Sequence, residues 1–260
     1  MYVLGVDIGS TSSKAVVLKD GAILACSVIP AGTGTSGPKR VLQDIFRKTG
    51  LSRTDMERVV ATGYGRFSME EADRQVSEIS CHARGVHHIM PSVRTILDIG
   101  GQDVKAIELS EEGRVENFFM NDKCAAGTGR FIEVMANLME LHVSEMAVWD
   151  ARAERPVTVS STCTVFAESE VISLLSQKKG KADIIRGVHE SVISRAMGLL
   201  MRTAMKSDFG MTGGVAQNAG VVRALERQLR QPVQVSNYSQ LMGAIGAAQF
   251  AWQDVREEKR

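Results

Sequence analysis

The chain opens on short apolar runs separated by polar, glycine-bearing turns. Val3, Leu4 and Val6 lead into Asp7-Ile8-Gly9-Ser10-Thr11-Ser12-Ser13, and Lys14-Ala15-Val16-Val17-Leu18 resumes the apolar run. Lys19-Asp20-Gly21 is a polar turn with a hairpin signal, and residues 22–29 form a third run. The pattern predicts three consecutive hairpin strands. It then returns. Asp98-Ile99-Gly100-Gly101-Gln102-Asp103-Val104-Lys105-Ala106-Ile107-Glu108-Leu109 aligns without gaps to residues 7–18, with six of the twelve positions identical. The second copy also follows an apolar run, Ile96-Leu97, and leads through Glu111-Glu112-Gly113 to another apolar stretch at 115–120. A single repeat at this distance is too long for a solenoid. It predicts two related half-molecules, each opening with a β-hairpin whose turn is polar and glycine-bearing.

Longer stretches carry helical periodicity. Residues 38–48 and 69–89 lie between the two copies, with Pro38 suited to the first helical position. Beyond the second copy, helices are predicted at about 127–141, 165–177, 182–206, 221–229 and 240–252, with strands at 156–160 and 232–236. The charged segment 254–260 reads as a frayed terminus. The order of hairpin sheet then helices, twice over, predicts an α/β protein of two similar lobes, residues 1–93 and 94–260. Each lobe is a mixed sheet covered by helices, with the final helix packing back on the first.

Composition narrows the chemistry. The 260 residues are 44% hydrophobic and 23% charged, and 31 Lys and Arg balance 30 Asp and Glu. That balance argues against a generic nucleic-acid or membrane-surface binder. No run of 18 apolar residues predicts a membrane-spanning helix, and the start has no basic region of a signal peptide. Four cysteines are far too few for a disulfide scaffold. A cytoplasmic setting is expected.

Three glycine loops compete as ligand sites. Gly32-Thr33-Gly34-Thr35-Ser36-Gly37 is a literal GxGxxG, but a dinucleotide fold needs it to open the crossover of a βαβ unit. Here the preceding strand is the third of an antiparallel meander, so a polar connection is the expected reading. No GxxxxGK[ST] occurs. The paired loops at 7–14 and 98–105 suit phosphate better. Glycine in a hairpin turn lets backbone N–H groups converge on an anion. Ser10, Thr11, Ser12 and Ser13 add hydroxyls and Lys14 adds charge. Asp7 and Asp98, at equivalent places on facing sides of a cleft, could hold hydrated Mg²⁺. The third loop, Thr212-Gly213-Gly214-Val215-Ala216-Gln217-Asn218-Ala219-Gly220, leads into a helix and would let a ring or ribose approach the backbone. This set of loops resembles the nucleotide site of the superfamily of sugar kinases, heat-shock ATPases and actin. The resemblance implies ATP and an actin-like ATPase fold.

The cysteines divide by position. Cys26 sits in a predicted strand and reads as a packing residue. Cys81 lies near His82, His87 and His88 without the spacing of helical metal ligands, so packing is again expected. Cys124, in Asn121-Asp122-Lys123-Cys124-Ala125-Ala126-Gly127-Thr128-Gly129, and Cys163, in Ser160-Ser161-Thr162-Cys163-Thr164, both precede predicted helices. A thiolate or an anionic cluster is favoured at a helix N-terminus, while a redox thiol or plain packing remains open. Two cysteines cannot complete a [4Fe–4S] site, which takes four; a symmetric dimer would supply them.

Asn121–Phe131, Ser160–Val171, Ala61-Thr62-Gly63-Tyr64-Gly65-Arg66 and residues 98–105 resemble the signature segments of the ATP-dependent activators, or component A, of 2-hydroxyacyl-CoA dehydratases. These belong with the BadF/BadG/BcrA/BcrD-type ATPases, and ATPase subunits of benzoyl-CoA reductases are relatives. The resemblance implies a homodimer with one bridging [4Fe–4S] cluster ligated by Cys124 and Cys163 of each subunit. It also implies ATP hydrolysis with Mg²⁺, a ferredoxin or flavodoxin as electron donor, and a dehydratase that receives one low-potential electron. Ser10, Thr11, Ser12, Ser13 and Lys14, with Gly100 and Gly101, would hold the phosphates. Asp7 and Asp98 would lie near the metal, and Gln102 and Asp103 are candidates for positioning water. Gly213, Gly214, Gln217 and Gln240 would border adenosine. The alternatives are a benzoyl-CoA-type reductase subunit, a metabolite kinase, or a chaperone-like or filament-forming ATPase on the same scaffold.

Overall fold

The computed structural model describes residues 1–160 and 163–260. The predicted opening meander forms as β1 (Tyr2–Ile8), β2 (Ser13–Lys19) and β3 (Ala22–Ile29), antiparallel in sequence. β1 and β2 are buried on both faces and show no polar alternation, whereas β3 at the edge alternates. Helix α1 (Gly37–Thr49), with proline at its start and Gly50 in the left-handed conformation after its end, covers β2 and β3. The chain then enters β4 (Met56–Thr62), parallel to β1, a strand that the sequence pattern did not predict.

The helix expected over 69–89 is half as long. Residues 74–75 instead pair with β4 as the short parallel strand β5 (Arg74–Gln75), and α2 spans Glu78–Ile89. Two local bonds cause this. The Asp73 carboxylate accepts from the Val59 N–H at 2.7 Å, pinning the chain to β4. Ser77 then caps α2 by accepting from the Ser80 N–H at 3.1 Å.

The second copy of the repeat forms β6 (Thr95–Ile99) and β7 (Val104–Leu109), followed by β8 (Val115–Asn121). Helices α3 (Gly129–Leu138), α4 (Met146–Asp150), α5 (Thr164–Ser176) and α6 (Lys181–Leu200) come next. The strand expected at 156–160 does not form. That segment is held by helical partners: the Val157 N–H bonds the Asp183 carbonyl at 3.3 Å, and the Ser160 N–H bonds a Glu170 carboxylate oxygen at 2.7 Å. Helix α6 stops at Leu200 rather than 206, where the Thr203 hydroxyl bonds the Leu200 carbonyl and Met205 turns left-handed. β9 (Phe209–Thr212), also unpredicted, lies parallel to β6. Helix α7 (Ala219–Leu229), β10 (Val233–Gln234) and α8 (Met242–Glu258) complete the chain.

The two sheets have one topology. The first runs β3-β2-β1-β4-β5 and the second β8-β7-β6-β9-β10. In each, the hairpin's first strand is central and takes a later strand in parallel on its other side. The repeat seen in twelve residues therefore extends over five strands.

The chain divides into two compact units. The first contains Met1–Val93, Leu109–Glu116 and Gln240–Arg260, and the second Arg94–Glu108 and Asn117–Ser239. In the first, α8 packs against α2, β1 and β4. Small residues set that approach: a Cβ on Gly5 would lie 2.1 Å from the Ala244 carbonyl oxygen, and one on Gly246 would lie 1.7 Å from that of Cys81. The terminus is helical rather than frayed through Glu258. Arg74 holds Asp254 at 2.6 Å, Arg58 pairs with Glu258, and Lys259 reaches Glu57 at 2.5 Å. In the second unit, Phe131, Ile132, Met135, Ile184, Val188 and Val192 bring α3 and α6 into one apolar core with β6, β7 and α7.

Candidate nucleotide site and cysteine loops

In the first unit, antiparallel register places Asp7, near the end of β1, opposite Lys14. The Lys14 Nζ lies 3.2 Å from Asp7 Oδ2. Between them the turn closes through the Gly9 N–H and the Ser12 carbonyl at 3.0 Å. Ser10 and Thr11 stand at the accessible tip, while Ser12 and Ser13 are buried. The Ser13 hydroxyl donates to the Ala31 carbonyl at 2.8 Å, so in this structure it fixes the neighbouring loop. That neighbour is the GxGxxG segment. It backs the turn, with the Thr33 N–H on the Gly9 carbonyl at 2.9 Å and Gly32 too close to Ser10 for any Cβ. With β3 an antiparallel edge strand, a dinucleotide crossover is not formed.

The second unit repeats this plan with tighter packing. Asp98 and Lys105 are opposed across β6 and β7, 3.2 Å apart, with side chains almost wholly buried. Lys105 also pairs with Asp103, and the Thr212 hydroxyl donates to Asp98 Oδ1 at 2.8 Å. The Gly100 N–H bonds the Asp103 carbonyl at 2.9 Å, closing the turn; Gln102 is exposed at its tip. Gly100 and Gly101 have a further role that the sequence did not suggest. Their carbonyls accept from the Gly129 and Arg130 N–H groups at 2.9 and 2.8 Å. These are the first two donors of α3, left free by helix geometry.

A second repeat lies beside the first. Thr62-Gly63 ends β4 opposite Asp7, and Thr212-Gly213 ends β9 opposite Asp98. Both glycines have φ near +85°, at +87° and +85°. A Cβ on Gly63 would lie 2.4 Å from Asp7 Oδ1, and one on Gly213 2.2 Å from the Ile99 carbonyl oxygen. Each aspartate is thus bordered by a glycine that no other residue replaces without strain. Thr62, Gly63, Lys105 and Thr212 stood inside the quoted segments but were given no role of their own; matching Ala-Thr-Gly to Met-Thr-Gly would have singled out the threonines and Gly63. Gly214 and Gln217 are exposed on the single helical turn after Gly213, whereas Gln240 falls in the first unit.

Cys163 occupies the N-cap of α5, where its carbonyl accepts from the Ala167 N–H at 3.0 Å. Its neighbours Ser161 and Thr162, read as part of a capping cluster, lie outside the described residues. Cys124 stands farther from its helix than the expected start near 127 put it. Helix α3 begins at Gly129 with Thr128 as its cap, so Cys124 stands in the loop that leads into it. Positive φ at Gly127 and the Thr128 hydroxyl on the Ala125 carbonyl, at 2.7 Å, shape that loop. Both thiols are free and half-exposed, and α3 packs against α5. Val165 and Phe166, in the first turn of α5, are 65% and 67% exposed, and Ile172 follows two turns on at 48%.

Cys81 is fully buried, and burial pushes its thiol up to about 12, the behaviour of a packing residue. Cys26 is half-buried in β3. Among the described residues no three His, Cys, Asp or Glu side chains gather as a metal site, the histidines of α2 included.

A doubled sheet of this order is the architecture of actin-like ATPases and sugar kinases. A ROK family glucokinase from Streptomyces griseus matches 97% of this chain and 100% of its own at a TM-score of 0.60 and 13% identity, a likeness of fold alone. The chain belongs to the BadF/BadG/BcrA/BcrD ATPase family, whose model matches residues 4–251. Within it, the activator of lactoyl-CoA dehydratase from Anaerotignum propionicum is 55% identical, over 99% of this chain and 100% of that protein. The activator of the 2-hydroxyisocaproyl-CoA dehydratase from Clostridium difficile, solved with bound ADPNP, is 52% identical at a TM-score of 0.97, covering 100% of this chain and 97% of its own. A benzoyl-CoA reductase subunit from Thauera aromatica is more distant, 33% identical over 83% of this chain and 77% of that protein. No helix among the described residues is long and apolar enough to cross a membrane.

Proposed function

We propose that this protein is an ATP-hydrolysing activator of a 2-hydroxyacyl-CoA dehydratase, working in the cytoplasm as a homodimer. Ser10, Thr11, Ser12, Ser13 and Lys14 hold phosphate with Gly100 and Gly101. Asp7 and Asp98 hold Mg²⁺, Gln102 and Asp103 orient water, and Gly213, Gly214, Gln217 and Gln240 border adenosine. Cys124 and Cys163 of each subunit ligate one shared [4Fe–4S] cluster, which when bound supplies one-electron chemistry at low potential. A ferredoxin or flavodoxin is the donor. Moving one electron uphill by about 300 mV needs about 7 kcal/mol, since about 59 mV is a tenfold change; hydrolysis is a suitable source.

One observation carries the reading. The Gly100-Gly101 turn, assigned to phosphate, bonds through both carbonyls to the first two N–H groups of α3. The Cys124 loop leads straight into that helix, and α3 packs on α5, which Cys163 caps. A rearrangement of the phosphate turn therefore has a direct mechanical route to both cysteines. The residues also suit a shared cluster. Two free thiols per chain sit half-exposed beside an apolar first turn on α5, a surface that a second copy can cover. The dehydratase class is favoured over the aryl-CoA reductase by 55% against 33% identity. Similarly close relatives are named for different acyl groups, so the reading stops at the class of 2-hydroxyacyl-CoA.

The test is anaerobic purification. The protein should be brown, with about four irons per dimer on the tetrathiolate scheme. Cys124→Ser and Cys163→Ser should each lose iron and colour yet still bind ATP. A wild-type protein that stays colourless after anaerobic reconstitution refutes the cluster and the electron-transfer role.

A further inference from the structure

The second unit contains a polar chain that none of the assigned roles uses. Asp150, at the end of α4, is fully buried, as is His189 in the middle of α6. Asp150 Oδ1 lies 3.1 Å from His189 Nδ1, and Asp150 Oδ2 accepts from Arg223 of α7 at 2.6 Å. On the other side of the ring, His189 Nε2 lies 3.1 Å from Asn218 Nδ2. Asn218 caps α7: its Oδ1 accepts from the Gly220 N–H at 2.9 Å. Gly220 in turn packs against the imidazole, where a Cβ would lie 2.5 Å from the ring.

The donors and acceptors allow one arrangement. An ionised Asp150 only accepts, so His189 Nδ1 carries the proton. Asn218 Oδ1 is taken by the Gly220 N–H, so its NH₂ faces His189, and Nε2 must be the bare acceptor. His189 is therefore the neutral Nδ1–H tautomer. Its ring links a carboxylate anchored by Arg223 to the residue that ends the Gly213–Gln217 turn. That turn is held at its start by Thr212 on Asp98 and by the Gly213 N–H on the Ser239 carbonyl at 2.9 Å. At its far end Asn218 adds a side-chain hold through Gly220. Without the His189 acceptor, the Asn218 amide is free to rotate and the cap on Gly220 loosens.

We propose that His189 is a positioning residue for nucleotide binding: through Nε2 it fixes Asn218, and with it the exposed Gly214 and Gln217 on which adenosine rests. The inference rests on the nucleotide assignment made above. It separates the two ring nitrogens. Glutamine at 189 places an amide oxygen near Nε2 and keeps the acceptor for Asn218. Asparagine places its polar atoms near Nδ1 and keeps only the arm toward Asp150.

The experiment compares His189→Gln, His189→Asn and Asn218→Ser by ATP hydrolysis kinetics and thermal midpoint. Asn218→Ser retains a good capping hydroxyl for Gly220 but removes the donor to His189. His189→Asn and Asn218→Ser should each raise KM for ATP about fivefold to tenfold with kcat within twofold. His189→Gln should stay within twofold of wild type in KM even if its midpoint falls as far as that of His189→Asn. Equal KM for the two His189 variants, or an unchanged KM in Asn218→Ser, overturns the proposal. If neither His189 variant folds, Asn218→Ser alone decides it. If wild type binds no ATP, the nucleotide reading fails by itself. Hydrogen exchange at the Gly220 amide then decides the positioning role: faster in His189→Asn than in His189→Gln if the relay holds, and equal in both if it does not.

Discussion

The two hairpin turns share a backbone plan and six of twelve residues, yet they treat their aspartate–lysine pair differently. Lys14 and Asp7 keep some contact with solvent, at 13% and 8% side-chain exposure, beside a tip of small hydroxyl residues. Lys105 and Asp98 are sealed at 1% and 3%, and Lys105 serves Asp103 as well. Thr212 adds a hydroxyl bond to Asp98, whereas its counterpart Thr62 donates to the Val76 carbonyl at 3.0 Å. A duplicated sheet has thus been given one accessible turn and one braced turn. The braced turn is the one that carries α3 on its carbonyls. An accessible turn can admit a phosphate; a braced turn can transmit a displacement to a helix without absorbing it.

The sharpest way to break this comparison is to remove each lysine. Lys105→Met leaves Asp98 buried without its cation and costs Asp103 a partner. Breaking a buried ion pair from one side costs roughly 3–5 kcal/mol. Lys14→Met should cost about 2 kcal/mol less, because solvent reaches the Asp7 pair and screens it. Urea denaturation of both ligand-free variants measures the difference. Equal costs would mean that the two turns are braced alike.

The glycines test what the turns share. Gly63→Ala and Gly213→Ala each force a side chain into left-handed backbone and against an occupied atom. Each should cost about 3 kcal/mol, from backbone strain plus overpacking. They differ in what gives way. At both, main chain stands in the way, the Ile8 carbonyl oxygen at 2.5 Å and that of Ile99 at 2.2 Å, but at Gly63 the Asp7 carboxylate is also 2.4 Å away, whereas at Gly213 Asp98 stands back at 3.0 Å. Gly63→Ala should therefore lower the thermal midpoint about as far as Gly213→Ala and weaken nucleotide binding more, because it also displaces the Asp7 carboxylate. Equal loss of nucleotide affinity in the two variants would show that Asp7 is not displaced.

Much of this was legible because hairpins and amphipathic helices write their periods locally. The meander at 2–29, the second hairpin and α1, α5 and α7 lie within a few residues of where apolar spacing puts them. β4 and β9 were missed for one reason: each pairs in parallel with a strand distant in sequence, so no adjoining hairpin turn marks it, and β9 is only four residues long. The 69–89 stretch looked helical because Met69, Ala72 and Val76 are spaced like a helix face; Ser77 was the cap that should have moved its start. The aspartates, glycines and cysteines of the candidate site stood out as motifs. Lys105 and Thr212 lay within those motifs, but their roles did not show, since they depend on register across strands. His189 was invisible, because its partners lie 39 and 29 residues away on other helices.

That buried chain gives the two units different behaviour in acid. Burial opposes ionisation of Asp150, but hydrogen bonds from His189 and Arg223 outweigh it and hold its carboxyl at about 2, below the ordinary 3.8. A carboxylate whose pKa is lower when folded stabilises the folded state above its unfolded pKa, and that contribution fades as pH falls through the folded value. The window is therefore pH 4 down to pH 2, and the size is about 2 kcal/mol at 1.36 kcal/mol per pH unit. In the first unit, Asp44 is also held low, by hydrogen bonds from Lys48, Ser27 and Arg47, but two of those three partners are well exposed on α1. Salt should weaken the Asp44 interactions and leave those of Asp150 largely intact. Asp150→Asn removes the titrating group. The variant should be less stable at pH 6 and lose about 2 kcal/mol less than wild type between pH 4 and pH 2, in low and high salt alike. Hydrogen exchange should place the wild-type acid loss first in α6 and α7, not in α8. Parallel pH profiles for variant and wild type would mean that Asp150 is already neutral in the fold, and the tautomer assigned to His189 would fall with it.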